Sequence, residues 1–533
     1  MRNITWVKCA ALIISVLVNV LGSHGGKILV FPVDGSHWIN MNLLIEGLHA
    51  RHHNITVVRS VSSWYVKEKC PHYTSITVHL PEVISIEDQD FFVSFLSRIM
   101  EIQRGGASVL AFISFYWEML TKLSNMHRQA SQLAVEMFKN QQLMQSLQDT
   151  QFDLVLMDPG LPAGLLIAHK LHLPTVFNVR WITSGEGHFI VAPSPVSYVP
   201  TSLCTVSDKM IFTQRAKNMF HYFLNICIDT FVVCPHYNRL CAQYFGPDIN
   251  FYHLLQSIDV WLMRVDFVFE FPRPTMPNIV YIGGFQCKPS KALPPDLEEF
   301  VQSSGDHGVV IMSLGTLVKG LPVGITSEIA AAFAQIPQKV IWRHLGEKPQ
   351  NLGNNTLLVQ WLPQNDLLGH PKVKAFVAHG GTNGIYEAIY HSIPVLGLPL
   401  LFDQFENVLR LEVRGAAKVL DVTKITSQGF LQALQDVLQD PSYQSNMQKL
   451  SRLHRDKPLP PLDSAFFWIE FVMRHKGAAH LRTESYKMPW YAYHSLDVIG
   501  FLIVAVLAVL ATVATMFHLL CCRLCRRRKL KQE

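Results

Sequence analysis

The sequence predicts an α/β protein: two facing Rossmann-like domains followed by one C-terminal transmembrane helix. Three observations predict it. Short apolar runs bounded by Gly, Pro or His alternate with stretches of helical period in two separate blocks, the pattern of parallel strands covered by helices. One unit is spelled out in full. Val373–Ala378 and Ile393–Leu398 are apolar and strand-length, and HisGlyGlyThrAsnGly (379–384) opens a helix whose Ile385, Ala388 and Ile389 form an apolar stripe. Finally, residues 498–520 contain no Asp, Glu, Lys or Arg and are long enough to cross a bilayer.

A chain of 533 residues with 49% hydrophobic content can bury more than one core. Its net charge of +6 is concentrated at the ends. Arg2 and Lys8 precede an apolar run from Cys9, and Gly22 and Ser23 follow it, which has the form of a signal peptide over residues 1–23; an uncleaved anchor is the alternative. Beyond the span, Arg523, Arg526, Arg527, Arg528, Lys529 and Lys531 are opposed only by Glu533. Positive residues beside a span stay cytosolic, so the body is expected in the lumen. The body itself is close to neutral, which removes the basic surface that nucleic-acid binding requires. Lys529 and Lys531 stand fifth and third from the end and resemble a lysine-based retrieval address, so the expected location is the endoplasmic reticulum membrane, single-pass. Of ten cysteines, Cys9 is in the leader and Cys521, Cys522 and Cys525 lie at the membrane edge. Cys70, Cys204, Cys227, Cys234, Cys241 and Cys287 have no zinc-site spacing, and disulfides and buried thiols both stay open.

In chain order, Lys27–Val33 is a strand, AspGlySerHisTrp (34–38) a tight turn, and a helix runs through Asn42–His52 before the strand Asn54–Arg59. This puts His37 at a strand's carboxyl end, where an imidazole can serve as general base; a structural histidine is the alternative. Residues 87–150 read as a helical insertion that lines an apolar pocket, lies on a membrane or simply packs in the core. PheAspLeuValLeuMetAspPro (152–159) is a buried strand ending in Asp158. A carboxylate there can fix the tautomer of His37 and stabilise its imidazolium, or else cap a following helix. Residues 191–200 are a Pro-rich loop, 207–210 start another helix, and 261–274 close the first domain. ProSerLysAlaLeuProPro (289–295) is a linker by composition.

In the second domain, Val309–Leu314, Val340–His344 and Thr356–Gln360 are strands, with a sharp turn after Ser313. Asn354 and Asn54 both begin glycosylation acceptor sequences; the first, in a Gly/Asn-rich loop, is the favoured site. Gly380 and Gly381 let a ligand approach the backbone closely, and the amides of Thr382, Asn383 and Gly384 sit at the positive end of a helix, suited to phosphate. Glu387, one turn after Asn383, can accept from sugar hydroxyls. Asp403 and Gln404 follow the next strand at the carboxyl edge, where open α/β sheets bind ligands. Helices over 427–455 finish the domain, and Leu462–His480 is expected to pack back across it. The expected divisions are 1–23, 24–287, 288–455, 456–497, 498–520 and 521–533.

Residues 361–407 closely resemble the signature of the UDP-glycosyltransferases. HGGTNGIYEAIYH (379–391) and FDQFEN (402–407) resemble its vertebrate UDP-glucuronosyltransferase branch, and DGSHW and FDLVLMDP resemble the segments carrying the family's base and supporting acid. The resemblance covers nearly the whole chain and implies the GT-B glycosyltransferase fold. It places uracil on Trp361 and the nucleoside on Gln364. The diphosphate goes to His379, Gly381, Thr382, Asn383 and Gly384, with the turn at Ser313 facing it, and the ribose to Glu387. The transferred sugar goes to Asp403 and Gln404. His37 and Asp158 become the catalytic dyad. It also associates Arg264 with the sugar carboxylate, where a salt bridge to an acid such as Asp266 is the alternative.

The implied reaction is inverting transfer of a glycosyl group, glucuronic acid foremost, from a UDP-sugar to a hydroxyl of a small lipophilic acceptor. The helix after His379 would carry the charge on the leaving diphosphate, so no metal or other cofactor is expected beyond the UDP-sugar co-substrate. Expected partners are donor, acceptor, membrane and related enzymes as oligomer subunits. The alternatives are UDP-glucose, UDP-xylose or UDP-N-acetylglucosamine as donor, or a non-catalytic UDP-sugar-binding regulatory partner.

Overall fold

The structure is a computed structural model describing residues 25–80, 97–99, 101–102, 108–180, 187–315 and 321–529. The expected signal peptide and Lys531 fall outside the described residues, as does the start of the helical insertion. Two parallel sheets organise the body. The first contains β1 (Lys27–Phe31), β2 (Asn54–Ser60), β3 (Thr74–Val78), β4 (Leu154–Met157), β5 (Thr175–Val179), β6 (Val260–Met263) and β7 (Ile279–Tyr281), in the order β3-β2-β1-β4-β5-β6-β7. The second contains β8 (Val309–Ser313), β9 (Lys339–Arg343), β10 (Thr356–Val359), β11 (Val373–Ala378), β12 (Val395–Gly397) and β13 (Ala417–Val419), in the order β10-β9-β8-β11-β12-β13. The central strands β4, β5, β6 and β8 are buried at every position; β4 and β6 accordingly read as unbroken apolar runs, whereas Thr175 and Asn178 interrupt β5 and Ser313 ends β8.

Helix α1 (Ser36–Ala50) begins six residues earlier than expected, because Gly35 takes a left-handed φ of 73° and turns the chain directly into the helix. Its buried Trp38, Met41, Leu44, Ile45 and Leu48 share the core of the first sheet. In the insertion, α2 (Val109–Lys139) is capped by Ser108, whose side chain accepts from the amide of Ala111. Asn140 ends it and caps the next helix through the amide of Leu143. Burial holds His127 of α2 neutral, at about 3, and its Nδ1 shares a hydrogen bond with the Tyr237 hydroxyl across 2.8 Å. Residues 207–210 precede their helix, which spans Phe212–Ile228.

In the second half, α3 (Thr382–His391) and α4 (Gln404–Val413) follow β11 and β12. The return helix α5 (Pro461–His475) differs from expectation. It leaves the second sheet and packs on the first, where Ala465, Phe466, Ile469 and Val472 join the core beneath α1. Arg51 at the end of α1 reaches Glu470 at 3.2 Å, and Asp259 accepts from the amide of Ala478. The reason is compositional: α5 offers an apolar stripe that the first sheet's α1 and its β5–β7 end leave room for, while the second sheet is already covered.

Asn354 is exposed in the turn before β10, and Asn54 is exposed as well, at the start of β2, where its amide donates to the Gly26 carbonyl. Cys70, Cys204, Cys227, Cys234, Cys241 and Cys287 are separate thiols. The C-terminal residues form a unit of their own from Arg482. In it, α6 (Leu496–Lys529) contains a 29-residue stretch, Leu496–Leu524, whose most apolar 18 residues have a mean hydropathy of 2.8, long and apolar enough to cross a membrane.

Candidate functional site

Each sheet reverses its strand order once, between β1 and β4 in the first and between β8 and β11 in the second, and ligands of open α/β sheets bind at such points. Both predicted clusters lie there. His37, in the first turn of α1, follows β1, and Asp158 follows β4. His37 Nδ1 lies 2.7 Å from Asp158 Oδ2, with both side chains buried. The other carboxylate oxygen of Asp158 accepts from the amide of Gly160 at 2.9 Å. Asp158 caps no helix, since the next one, Gly164–Lys170, has Ala163 at its cap. A carboxylate against Nδ1 assigns the proton to that nitrogen and leaves Nε2 as the basic position.

At the second reversal, Ser313 ends β8, Gly315 follows with φ 78°, and His379 follows β11. The His379 ring is held between two glycines: a Cβ on Gly315 or on Gly381 would stand 2.6 or 2.5 Å from its Nε2. Gly380, at φ 89°, would drive a Cβ to 2.8 Å from the Gln404 carbonyl oxygen. Burial, and then the nearby Arg180, lower His379 to about 4, so its ring is neutral at pH 7. Gly381 is the N-cap of α3, so Thr382, Asn383 and Gly384 present its first-turn amides.

Trp361 is exposed, in the loop before the short helix that starts at Gln364. Gln364 Nε2 donates to Glu387 Oε2 at 2.6 Å. Burial pushes Glu387 up to about 7, the Gln364 bond opposing it. Asp403 precedes α4. Its Oδ2 accepts from Thr382 Oγ1 (3.2 Å), Asn407 Nδ2 (2.9 Å) and Arg180 Nη2 (2.9 Å). Burial raises Asp403, but Arg180 and the Asn407 bond outweigh it and hold the carboxyl below its ordinary range. Gln404 spends its side-chain oxygen on the amides of Leu400 and Leu401, so its amide nitrogen is what remains for a ligand.

The two clusters face each other through three side-chain bridges. Asn40 of α1 donates to Asn383 Oδ1 at 2.7 Å, Arg264 Nη2 donates to the same oxygen at 3.2 Å, and Arg180 reaches Asp403. Arg264, directly after β6, is 3% exposed, and its Nε and Nη1 have no hydrogen-bond partner among the described residues. Burial and then Arg180 lower it to about 9, with Asp158 and Asp403 opposing, so it remains cationic. The alternative salt bridge to Asp266 does not form. Asp266 is taken by His454 Nδ1 (2.9 Å) and Lys457 Nζ (2.6 Å), and Tyr386 donates to its other oxygen.

The structure therefore brings together His37, Asp158 and Arg264 from the first half with His379, Thr382, Asn383 and Asp403 from the second. Four residues at the site were missed in the sequence: Asn40, Arg180, Arg343 and Asn407. Arg343 ends β9 and donates to the Gly315 carbonyl. Asn407 donates to Gly380 O at 2.9 Å and to Thr382 Oγ1 at 3.2 Å, stapling α4 to the glycine turn. Arg180 had a signal, since it directly follows the apolar run TVFNV, but that run went unrecognised as a strand.

The family described as "UDP-glucoronosyl and UDP-glucosyl transferase" matches residues 26–532. UDP-glucuronosyltransferase 2A1 of Mus musculus is 41% identical over 504 residues, 93% of this chain and 94% of the relative. UDP-glucuronosyltransferase 2A2 of Homo sapiens is 43% identical over 483 residues, covering 90% and 89%. Among solved structures, the glycosyltransferase of kitacinnamycin superposes with a TM-score of 0.56 at 16% identity over 85% of this chain and 99% of that one. The calicheamicin glycosyltransferase CalG4 superposes at 0.55, 16%, 85% and 99%. These give the architecture as the GT-B glycosyltransferase fold. The paired sheets, the two switch-point clusters and a match running almost end to end make one conclusion: the chain belongs to the UDP-glucuronosyl and UDP-glucosyl transferase family.

Proposed function

We propose that the chain transfers glucuronic acid from UDP-glucuronic acid to a hydroxyl of a small lipophilic acceptor in one inverting displacement. The observation that carries the donor assignment is Arg264: a buried cation with two unpartnered nitrogens, bonded to Asn383 of the opposite half, is arranged for an anion such as a sugar carboxylate. The relatives' names, UDP-glucuronosyltransferases, support the same donor.

In this reading the His37 Nε2 takes the acceptor hydroxyl proton as the oxygen attacks the anomeric carbon and the bond to UDP breaks. Asp158 steadies the imidazolium that results. The α3 amides donate to the diphosphate as it gains charge, with the His379 ring and the Ser313 turn beside them. Trp361 offers its exposed indole face to uracil, Gln364 binds the nucleoside, Glu387 accepts from the ribose, and Asp403 and Gln404 hold the transferred sugar's hydroxyls. The apolar helix and basic tail support a single-pass anchor with the body in the endoplasmic reticulum lumen, and exposure supports Asn354 as a glycan site.

The test is turnover of a phenol panel by microsomes carrying the full chain, with four UDP-sugars offered separately. Glucuronide formation in excess of the rest is expected. Preference for UDP-glucose, UDP-xylose or UDP-N-acetylglucosamine would overturn the donor, and UDP binding without turnover would overturn the catalysis.

The raised Glu387 carries a pH signature. Its protonated form stabilises the ligand-free fold fully below the ordinary carboxylate value, and that contribution is lost as pH rises through about 7. Binding runs the other way, because the ionised carboxylate is the better acceptor for ribose hydroxyls. UDP-sugar affinity is expected to rise between about pH 6 and about pH 8. Glu387→Gln should flatten that rise in a calorimetric titration; a slope that persists in the variant assigns it elsewhere.

A further inference from the structure

Along the carboxyl edge of the first sheet, β4, β5 and β6 are neighbours, and each is followed by a charged residue: Asp158, Arg180 and Arg264 in turn. Arg180 and Arg264 are one step beyond the registered pair Val179 and Met263, and the Arg264 amide donates to the Val179 carbonyl at 2.9 Å. Adjacent strands lie about 4.8 Å apart. Two guanidinium stems therefore leave one sheet edge side by side, both largely buried, and the charge of Arg180 weakens the hold of both Arg264 and the neighbouring His379 on their protons.

Their hydrogen-bonding to protein acids is thin. Arg180 spends one nitrogen on Asp403, while Arg264 feels Asp158 and Asp403 without a bond to either and has an amide oxygen and two nitrogens without partners among the described residues. Like charges packed this closely call for an anion between them. The diphosphate has its own donors in the α3 amides of the other half. Arg180, by contrast, is anchored on Asp403, the residue assigned to the hydroxyls of the transferred sugar.

We propose that Arg180 is a specificity-determining residue that closes with Arg264 on the carboxylate of an anionic donor sugar, so that two guanidiniums rather than one select it. This rests on the glucuronate reading above. Before the donor arrives, Asp403 holds the Arg180 fork in place; with the donor bound, the sugar hydroxyls share Asp403 and the carboxylate takes the guanidinium's remaining hydrogens.

The test is titration calorimetry of the full chain with UDP, UDP-glucose and UDP-glucuronic acid, for wild type, Arg180→Gln and Arg180→Lys, with thermal unfolding of each. In R180Q the Kd for UDP-glucuronic acid is expected to rise about tenfold to about a hundredfold, the scale of a lost charge-assisted hydrogen bond. UDP and UDP-glucose should stay within about threefold. R180K, which keeps the charge without the planar fork, should lose less and only for the carboxylated donor, and it serves in place of R180Q if that variant unfolds. Equal weakening of all three ligands would place Arg180 on the diphosphate or in cleft closure and overturn the proposal, as would no change. Wild type binding both sugars alike would sink the glucuronate reading itself. Wild-type preference that survives in R180Q and R180K would sink only the role of Arg180.

Discussion

His37→Ala is expected to lower kcat by about a hundredfold to about ten-thousandfold while the Kd for UDP changes less than about twofold, because in the proposed mechanism His37 is a general base, which contributes on that scale and acts on the acceptor rather than on the nucleotide. The geometry explains the separation. His37 belongs to the first half and is bonded to Asp158, whereas the His379 ring and the α3 amides belong to the second. Removal also strips Asp158 of a partner in a buried setting, leaving only the Gly160 amide, so some loss of thermal stability will accompany the variant. His37→Gln controls for this, as its amide can still reach Asp158 but cannot take a proton. Single-turnover rates at saturating donor, set beside UDP titrations, check both. A kcat within about tenfold of wild type in both variants, or a collapse of UDP affinity, would remove His37 from the base position.

Arg264→Leu carries the second large effect, with two signs. Affinity for UDP-glucuronic acid should fall about tenfold to about a hundredfold, while UDP alone binds nearly as before. Thermal stability should hold or rise. Arg264 is a buried cation with two nitrogens unpaired, a cost to the fold that a shorter, uncharged leucine does not bear. Such an exchange of stability for function is expected where a site is kept ready for a charged ligand. A variant that loses several degrees of Tm and binds all nucleotides poorly would instead make Arg264 a structural tie to Asn383.

The parts of the site that could be read in the sequence are those that local chemistry places. His37 and Asp158 each follow an apolar strand, and the glycines around His379 announce a close approach of backbone to ligand. What could not be read depends on how distant segments pack. Asn40 meets Asn383 across 343 positions of sequence, a pairing that exists only once the two sheets face each other. Arg180 was lost with its strand, since Thr175 and Asn178 interrupt the apolar run and both are buried. The start of α1 depended on the backbone angle of one glycine, and the destination of α5 on which sheet still had uncovered surface.

The path of α5 also bears on modularity. Because the chain enters the second half, completes it and then returns to the first sheet, the first half is assembled from two stretches separated by some 180 positions, between Tyr281 and Pro461. The second half is one continuous insertion within it. Exchange of halves between relatives thus respects the cores only when the returning helix travels with the N-terminal segment: Phe466, Ile469 and Val472 pack in one core with α1 and not with the second sheet, to which they are closer in sequence. The same double crossing tethers the cleft at two points, so its halves are suited to hinge about the line joining them rather than to drift apart.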